Sequence, residues 1–336
     1  LADYLARHCA SGRPTIGLLF YRAHWMSGNL AFVDALIRAI EAEGANVLPV
    51  YCYSLKDEEA AATGLPRVFR RFLLDEAGRP RVDAVINTLS FALGRGAPAP
   101  LSPGGREARG EGDGDSADWA AACLARLNVP FLQAINATSP RAQWEASAGG
   151  LSPIDTAMNV ALPEFDGRII TVPISFKEAA AHDPLLDAPV QRYVPAPDRI
   201  AHLAALAVRW AQLRHLPNAQ KRVALVLANY PSRNARLGNA VGLDTPSSVI
   251  NILRALQRDG YDVRDIPASG DALIHALIDR CTYDREFLTD QQVTQAAGHV
   301  PAAQYAAWYG GYPERTRAEL AAAWGAPPGD AYCYDG

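Results

Sequence analysis

The chain has 336 residues, 49% of them apolar and 20% charged, the balance of a folded protein with room for two α/β domains of ordinary size. Its formal net charge of −4, from 32 basic and 36 acidic residues, offers no positive field to nucleic acid or to an anionic membrane surface. No apolar run approaches the roughly 18 residues of a membrane span, and the opening Leu1-Ala2-Asp3-Tyr4 lacks the basic-then-apolar order of a signal peptide, so a cytoplasmic location is expected.

Residues 15–21 (TIGLLFY) have the length and apolar content of a buried parallel strand. A polar turn over 22–29 follows, and Leu30, Val33, Leu36, Ile37 and Ile40 then recur at helical spacing until Gly44 closes the helix. Residues 46–53 (NVLPVYCY) predict a second strand, 65–74 an amphipathic helix, and 82–89 (VDAVINTL) a third strand. The stretch 94–115 is dense in Gly, Pro, Ser and charge and predicts a mobile surface loop. A helix over 118–127, a fourth strand over 130–135 (PFLQAI), short helices within 139–158 and a strand over 168–176 (RIITVPISF) complete the pattern.

The alternation of strands and helices predicts an α/β fold with a doubly wound parallel sheet. Residues 1–195 form the first Rossmann-like unit on this basis, and 196–214 a connector helix. Residues 222–230 (RVALVLANY), a helix over 247–256 and a strand over 261–266 repeat the opening order. A second Rossmann-like unit, with too few strands to stand alone, is therefore expected over 215–270, followed by a mostly helical segment over 271–336. The missing initiating Met and the abrupt close at Tyr334-Asp335-Gly336 are what a piece of a longer chain would show.

The five cysteines (Cys9, Cys52, Cys123, Cys281 and Cys333) are odd in number and form no CxxC pair, which favours reduced thiols over a disulfide framework or a zinc site. No P-loop, GxGxxG, HExxH or GxSxG sequence occurs, which removes the usual signatures of nucleotide hydrolysis, dinucleotide binding and common hydrolases.

In an open α/β sheet, ligands lie beyond the carboxyl ends of the strands, and four polar turns occupy that edge. The first carries His24, Trp25 and Asn29 at a helix start, where they either meet a ligand or simply cap and pack. The second runs from Gln133, with Ser139 as a helix cap and Pro140 at the first helical position. Its Trp144 either stacks on a flat conjugated ring or fills a domain seam. In the third, Glu164 and Asp166 sit between Pro163 and Gly167, in position to take a cation or protons, or to make an ordinary turn. The fourth, glycine-punctuated turn carries Asn229, Tyr230, Arg233, Arg236, Asn239 and Asp244, with the arginines suited to carboxylates.

Three long phrases run through these turns: GLLFYRAHWMSGNLAFVDALIRAIEAEGANVLPVYCYSLKD, SPRAQWEASAGGLSPIDTAMNVALPEFDGRIITVPISFKE and VALVLANYPSRNARLGNAVGLDTPSSVINILRALQRDGYDV. Their order and spacing resemble the large subunits of the CobN and magnesium chelatase H family, with FYRAHW and ANYPSRNAR closer to the cobalt branch. The resemblance implies a piece of a tetrapyrrole-holding subunit that works with AAA+ ATPase partners of CobS and CobT type. Those partners use ATP and Mg²⁺ while Co²⁺ enters hydrogenobyrinic acid a,c-diamide in cobalamin biosynthesis. It implies no cofactor held tightly by this chain. Within it, Glu164 and His24 would accept pyrrole protons or pass the metal; Trp25 and Trp144 would stack on the ring. Asn29, Gln133, Asn229, Tyr230, Arg233, Asn239 and Asp244 would line the substrate cleft. The rival expectations are the large subunit of a magnesium chelatase acting on protoporphyrin IX, a non-catalytic small-molecule sensor of two Rossmann-like units, and an NAD-dependent enzyme, against which the missing glycine fingerprint counts.

Overall fold

The computed structural model describes residues 1–52, 65–92, 124–185, 187–230, 233–280, 284 and 286–327. The expected loop over 94–115 lies outside them, as do Cys123, Cys281 and Cys333. The chain divides into two compact units, Leu1–Leu216 and Pro217–Gly336.

The first unit is built on one six-stranded sheet in the order β2-β1-β3-β4-β5-β6. Its strands are β1 (Thr15–Tyr21), β2 (Asn46–Cys52), β3 (Ala84–Asn87), β4 (Phe131–Ala137), β5 (Ile169–Asp183) and β6 (Ala188–Pro195). The pairings from β2 through β5 are parallel, and β6 returns antiparallel along β5. The α/β class read from the sequence is thus what the molecule has, with an added hairpin at one edge.

Alternation along β1 explains the two-sided core. Ile16, Leu18 and Phe20 pack on one face with Ile86, Leu132 and Ile174. Leu19 turns to the other face with Leu48, Val85 and Phe131. Gly17 shares that second face, where a Cβ would stand 3.3 Å from Leu73 Cδ2, so its small size admits the turn of helix above it.

Helix α1 (Ala2–His8) precedes β1; α2 (Arg22–Met26) and α3 (Ala31–Ala42) follow it. On α3 the buried residues are Phe32, Val33, Leu36 and Ile40, one stripe at helical spacing, and Gly44 ends the element at φ +83°. The expected helix over 65–74 is a single α turn, α4 (Leu65–Val68), running into a π turn over Phe69–Leu73 that buries Phe69 and Leu73. Beyond β4 come α5 (Arg141–Ala146), α6 (Pro153–Thr156), a π turn over Ala157–Ala161, and α7 (Leu162–Phe165).

The expected connector is α8 (Pro197–His215), and it is a wall of the first unit instead. Its Ile200, Leu203, Ala204, Ala207, Val208 and Ala211 are buried against the sheet together with α3. The small residues in that stripe allow close approach to the strands.

The described α-helices of the second unit are α9 (Thr245–Arg258), α10 (Gly270–Ile278), α11 (Asp290–Thr294), α12 (Ala302–Gly310) and α13 (Glu314–Trp324). Val249, Ile250 and Leu273 make a small core with Leu227, Leu253 and Ile266 around it. The strands expected over 222–230 and 261–266 carry no ladder in this unit, where the described pairing is one bridge, Asn229 to Leu237. The physical reason is a shortage of neighbours: a strand is stable only when its backbone groups are paired on at least one side.

Candidate functional site

The sheet order creates a switch point. From β1 the chain moves outward to β2, then returns to β3 on the opposite side of β1, which opens a crevice at the carboxyl ends of β1, β3 and β4. A cavity of about 210 Å³ occupies that crevice. Tyr21 ends β1, Thr88 and Ser90 follow β3, Asn136 lies near the end of β4 with Thr138 just beyond it, and all five line it. The opposite wall comes from Ile154 and Asp155 of α6, with Met158 and Asn159 of the following π turn, while His24 of α2 and Tyr193 of β6 close the side.

Asp155 is fully buried, and its carboxylate is anchored by donors from two directions. Its Oδ2 accepts from Thr138 N–H at 3.0 Å, Thr138 Oγ1 at 3.0 Å and Ser152 Oγ at 3.0 Å. Oδ1 has only a 3.3 Å contact from the Thr138 N–H. Ser152 caps α6 by accepting from the Asp155 N–H, so the local helix start itself aims the carboxylate at β4.

Two buried carboxamides flank it. Asn136 Oδ1 accepts from Ser175 Oγ at 2.6 Å, and Asn159 Oδ1 accepts from Ser90 Oγ at 2.7 Å. Each leaves its Nδ2 without a partner among the described residues, in a side chain that is at least nine-tenths buried. Tyr21 donates its hydroxyl to Ser90 O, and burial pushes its pKa up to about 12, so it stays a neutral donor.

His24 packs edge-on against Phe32, with ring centres 5.0 Å apart, and against Tyr193 at 5.6 Å. Burial lowers its pKa, which favours the neutral imidazole at physiological pH. Next to it, Trp25 stands out in solvent, 54% exposed, and stacks on Tyr51 at 5.8 Å and 16°. Asn29 serves the scaffold: its Oδ1 accepts the Tyr193 N–H, which ties β6 to the turn before α3.

Gln133 does not line the cavity; it is fully buried within a polar network in the sheet. Arg168 Nη1 and Asn87 Nδ2 both donate to its Oε1 at 2.7 Å. Arg168 also bonds Leu89 O, Phe91 O and Asp166 Oδ2, the last at 2.6 Å. Burial lowers the arginine's pKa and the neighbouring Asp166 opposes that shift. By holding the carbonyls on both sides of Ser90, this network fixes the serine that orients Asn159.

Glu164 lies on α7, exposed, away from the cavity lining, and makes no side-chain hydrogen bond or ion pair within the described residues. Asp166 is the partner of the buried Arg168. Trp144 packs on Phe176 at 5.2 Å beneath the Arg199 guanidinium at 4.7 Å and lines a separate, shallow hollow of about 720 Å³. The helix that carries it begins differently from the sequence expectation. Pro140 is the N-cap, Ser139 O accepts from Lys177 N, and the first helical N–H, of Arg141, donates to Glu178 Oε1 on β5.

The other five candidates belong to the second unit. Asn229 Oδ1 is buried without a partner among the described residues, Tyr230 is 87% exposed, and Arg233 and Asn239 are exposed. Asp244 caps α9, accepting from Ser247 N–H at 3.0 Å and Ser247 Oγ at 2.8 Å. Those bonds hold its pKa below the usual carboxylate range.

The described residues hold no group of three or more His, Cys, Asp and Glu side chains placed to bind a metal ion, and no helix among them is long and apolar enough to cross a membrane. Asp155, Asn159, Asn136, Thr138, Ser90 and Tyr193 line the cavity and were not among the residues expected from the sequence. The available signal was the polar ending of two apolar strands, INTLS across the end of β3 and INATS across the end of β4.

A family model described as CobN/Magnesium Chelatase matches residues 1–336. The CobN subunit of an aerobic cobaltochelatase from Sinorhizobium sp is 39% identical over 327 residues, which take in 96% of this chain and 23% of that protein. The H-type magnesium-chelatase subunit of Rhodobacter capsulatus is 30% identical over 330 residues, 94% of this chain and 24% of that one. A solved structure, the catalytic subunit of cobaltochelatase from Mycobacterium tuberculosis, aligns with a TM-score of 0.71 and 43% identity over 95% of this chain and 24% of its own. The chain spans about a quarter of the length of these relatives.

Proposed function

Because the chain belongs to the CobN/magnesium chelatase family of tetrapyrrole metal chelatase subunits, we infer that it forms part of the tetrapyrrole-holding subunit of an aerobic cobaltochelatase. The whole subunit would insert Co²⁺ into hydrogenobyrinic acid a,c-diamide in cobalamin biosynthesis, in the cytoplasm. AAA+ partners of CobS and CobT type would supply ATP hydrolysis with Mg²⁺. The observation that carries the cobalt assignment is the gradient of identity: 39% and 43% to cobaltochelatase subunits against 30% to a magnesium chelatase subunit. This quarter of the subunit contributes binding surface, and insertion requires the remainder.

Metal insertion needs two pyrrole N–H protons removed, the ring bent, and the incoming ion stripped of water. A neutral imidazole is a competent proton acceptor, and His24 is held in that form by burial. The exposed carboxylate of Glu164 is open to solvent and free to take a proton or a hydrated cation in passing. The Trp25–Tyr51 stack presents a flat aromatic face beside His24. Arg233, Asn239, Tyr230 and Asn229 of the second unit would engage the carboxylate and amide periphery. Trp144 would give a second stacking surface. Asn29, Gln133 and Asp244 would act by holding these elements in place.

Tryptophan-fluorescence titration of the full-length subunit separates the two branches. Quenching that saturates with hydrogenobyrinic acid a,c-diamide at concentrations at least tenfold below those for protoporphyrin IX is expected. The reverse order assigns the chain to the magnesium branch. In the same protein, Glu164→Gln combined with His24→Ala lowers the cobalt insertion rate; an unchanged rate and unchanged affinity remove both residues from the mechanism.

A further inference from the structure

We propose that the cavity at the carboxyl ends of β1, β3 and β4 binds one uncharged primary amide group and rejects the corresponding carboxylate. This goes beyond the chelatase assignment, since it specifies a site and its selectivity.

Size sets the first limit. At about 210 Å³ the cavity is below the range of about 300–1,000 Å³ that holds drug-sized ligands, so it accepts a side-chain-sized group and not a macrocycle. Charge sets the second. The lining includes the buried carboxylate of Asp155 and no Lys or Arg. An incoming carboxylate would meet a like charge with no cation to offset it, in surroundings that screen poorly.

Hydrogen bonding supplies the positive selection. The Nδ2 groups of Asn136 and Asn159 are donors with no partner among the described residues, and Asp155 Oδ1 has acceptor capacity left beyond its 3.3 Å contact. A primary amide satisfies both sets, its carbonyl accepting from an asparagine and its NH₂ donating to Asp155. Ile154, Met158 and the rim of Tyr193 leave room for the carbon stem. Neutral His24 adds no charge that would favour an anion.

The test uses the 336-residue chain and follows the His24 imidazole resonances by NMR, assigned with His24→Gln. Propionamide should shift them saturably, with propionate at least tenfold weaker. Asp155→Asn should bring the two ligands within about threefold of each other, and Asn159→Ala should weaken propionamide at least fivefold. Equal or tighter binding of propionate, or no saturable shift with propionamide, overturns the proposal. If Asp155→Asn fails to fold, the Asn159→Ala arm decides: an unchanged propionamide affinity is then fatal. Competition separates the source of the amide. Displacement of propionamide by hydrogenobyrinic acid a,c-diamide, and not by hydrogenobyrinic acid, identifies a ring-borne amide. Propionamide binding without that competition identifies a free small amide, which upholds the selectivity and removes this cavity from tetrapyrrole binding.

Discussion

The segments TIGLLFY in the first unit and RVALVLANY in the second have the same strand-like composition and different fates. In β1 the inner five residues are buried between two neighbouring strands, with side chains packed above and below. In the second, Val223 is 54% exposed and Val226 90%, and among the described residues the backbone pairs through one bridge, Asn229 to Leu237, with Ala228 O accepting from the Gly238 N–H. An apolar, β-branched run is thus a capacity for a strand and not a strand. Neighbours on both edges and a cover on each face convert it, and the first unit supplies them within its own sequence.

The widest separation between the two regions should appear on placing a charge in each. Val85→Asp puts an unpaired carboxylate into the centre of the sheet, which costs several kcal/mol against a total stability of about 5–15 kcal/mol. The first unit is expected to lose its cooperative unfolding transition. Val226→Asp, on an exposed side chain, should change stability by about 0.5 kcal/mol or less. Urea unfolding followed by circular dichroism reads both. A large loss at Val226 would mean that the run is buried in solution.

A smaller effect is expected from the polar interior of the first unit. Arg168→Ala leaves Gln133 Oε1, Asp166 and two backbone carbonyls short of a buried donor, a change expected to cost about 3–5 kcal/mol. Because the same side chain positions Ser90, the variant should also weaken propionamide in the cavity assay more than an equally destabilising apolar change such as Leu36→Ala. Equal effects of the two on ligand binding would show that the network only supports the fold.

Much of the first unit could be read in advance. β1 and α3 were legible because burial on both faces produces an unbroken apolar run, and burial on one face produces a helical stripe. The full length of β5 and the whole of β6 were not, since AAAHD and APVQRYV carry weak strand preference and are fixed by pairing with each other. The Ser139 cap failed for a related reason: the helix N-terminus takes Glu178, 37 residues away, and no local pattern announces such a partner. Of the site, His24 was visible as a titratable group at a strand end. Asp155 was not, because Ser152-Pro153-Ile154-Asp155 looks like an ordinary helix start, and the use of that carboxylate on Thr138 is a tertiary contact.

The smallest expected effect concerns pH and bears on the same contrast, because it comes from His24, an imidazole that the packed first unit has taken out of water. Burial lowers its pKa in the folded state below the unfolded value of about 6.5. As pH falls through that value, the unfolded chain takes up a proton that the folded chain refuses. Stability therefore declines from about pH 6.5 downward until the lowered folded pKa is reached, and this contribution is fully present only above about pH 6.5. His24→Gln cannot titrate, so unfolding free energies measured between about pH 5 and pH 8 should lose this part of the slope while the remaining pH dependence persists. Parallel profiles for the two proteins would mean that His24 is solvated in the folded chain. Its use as a neutral proton acceptor beside the cavity would then lose its physical basis.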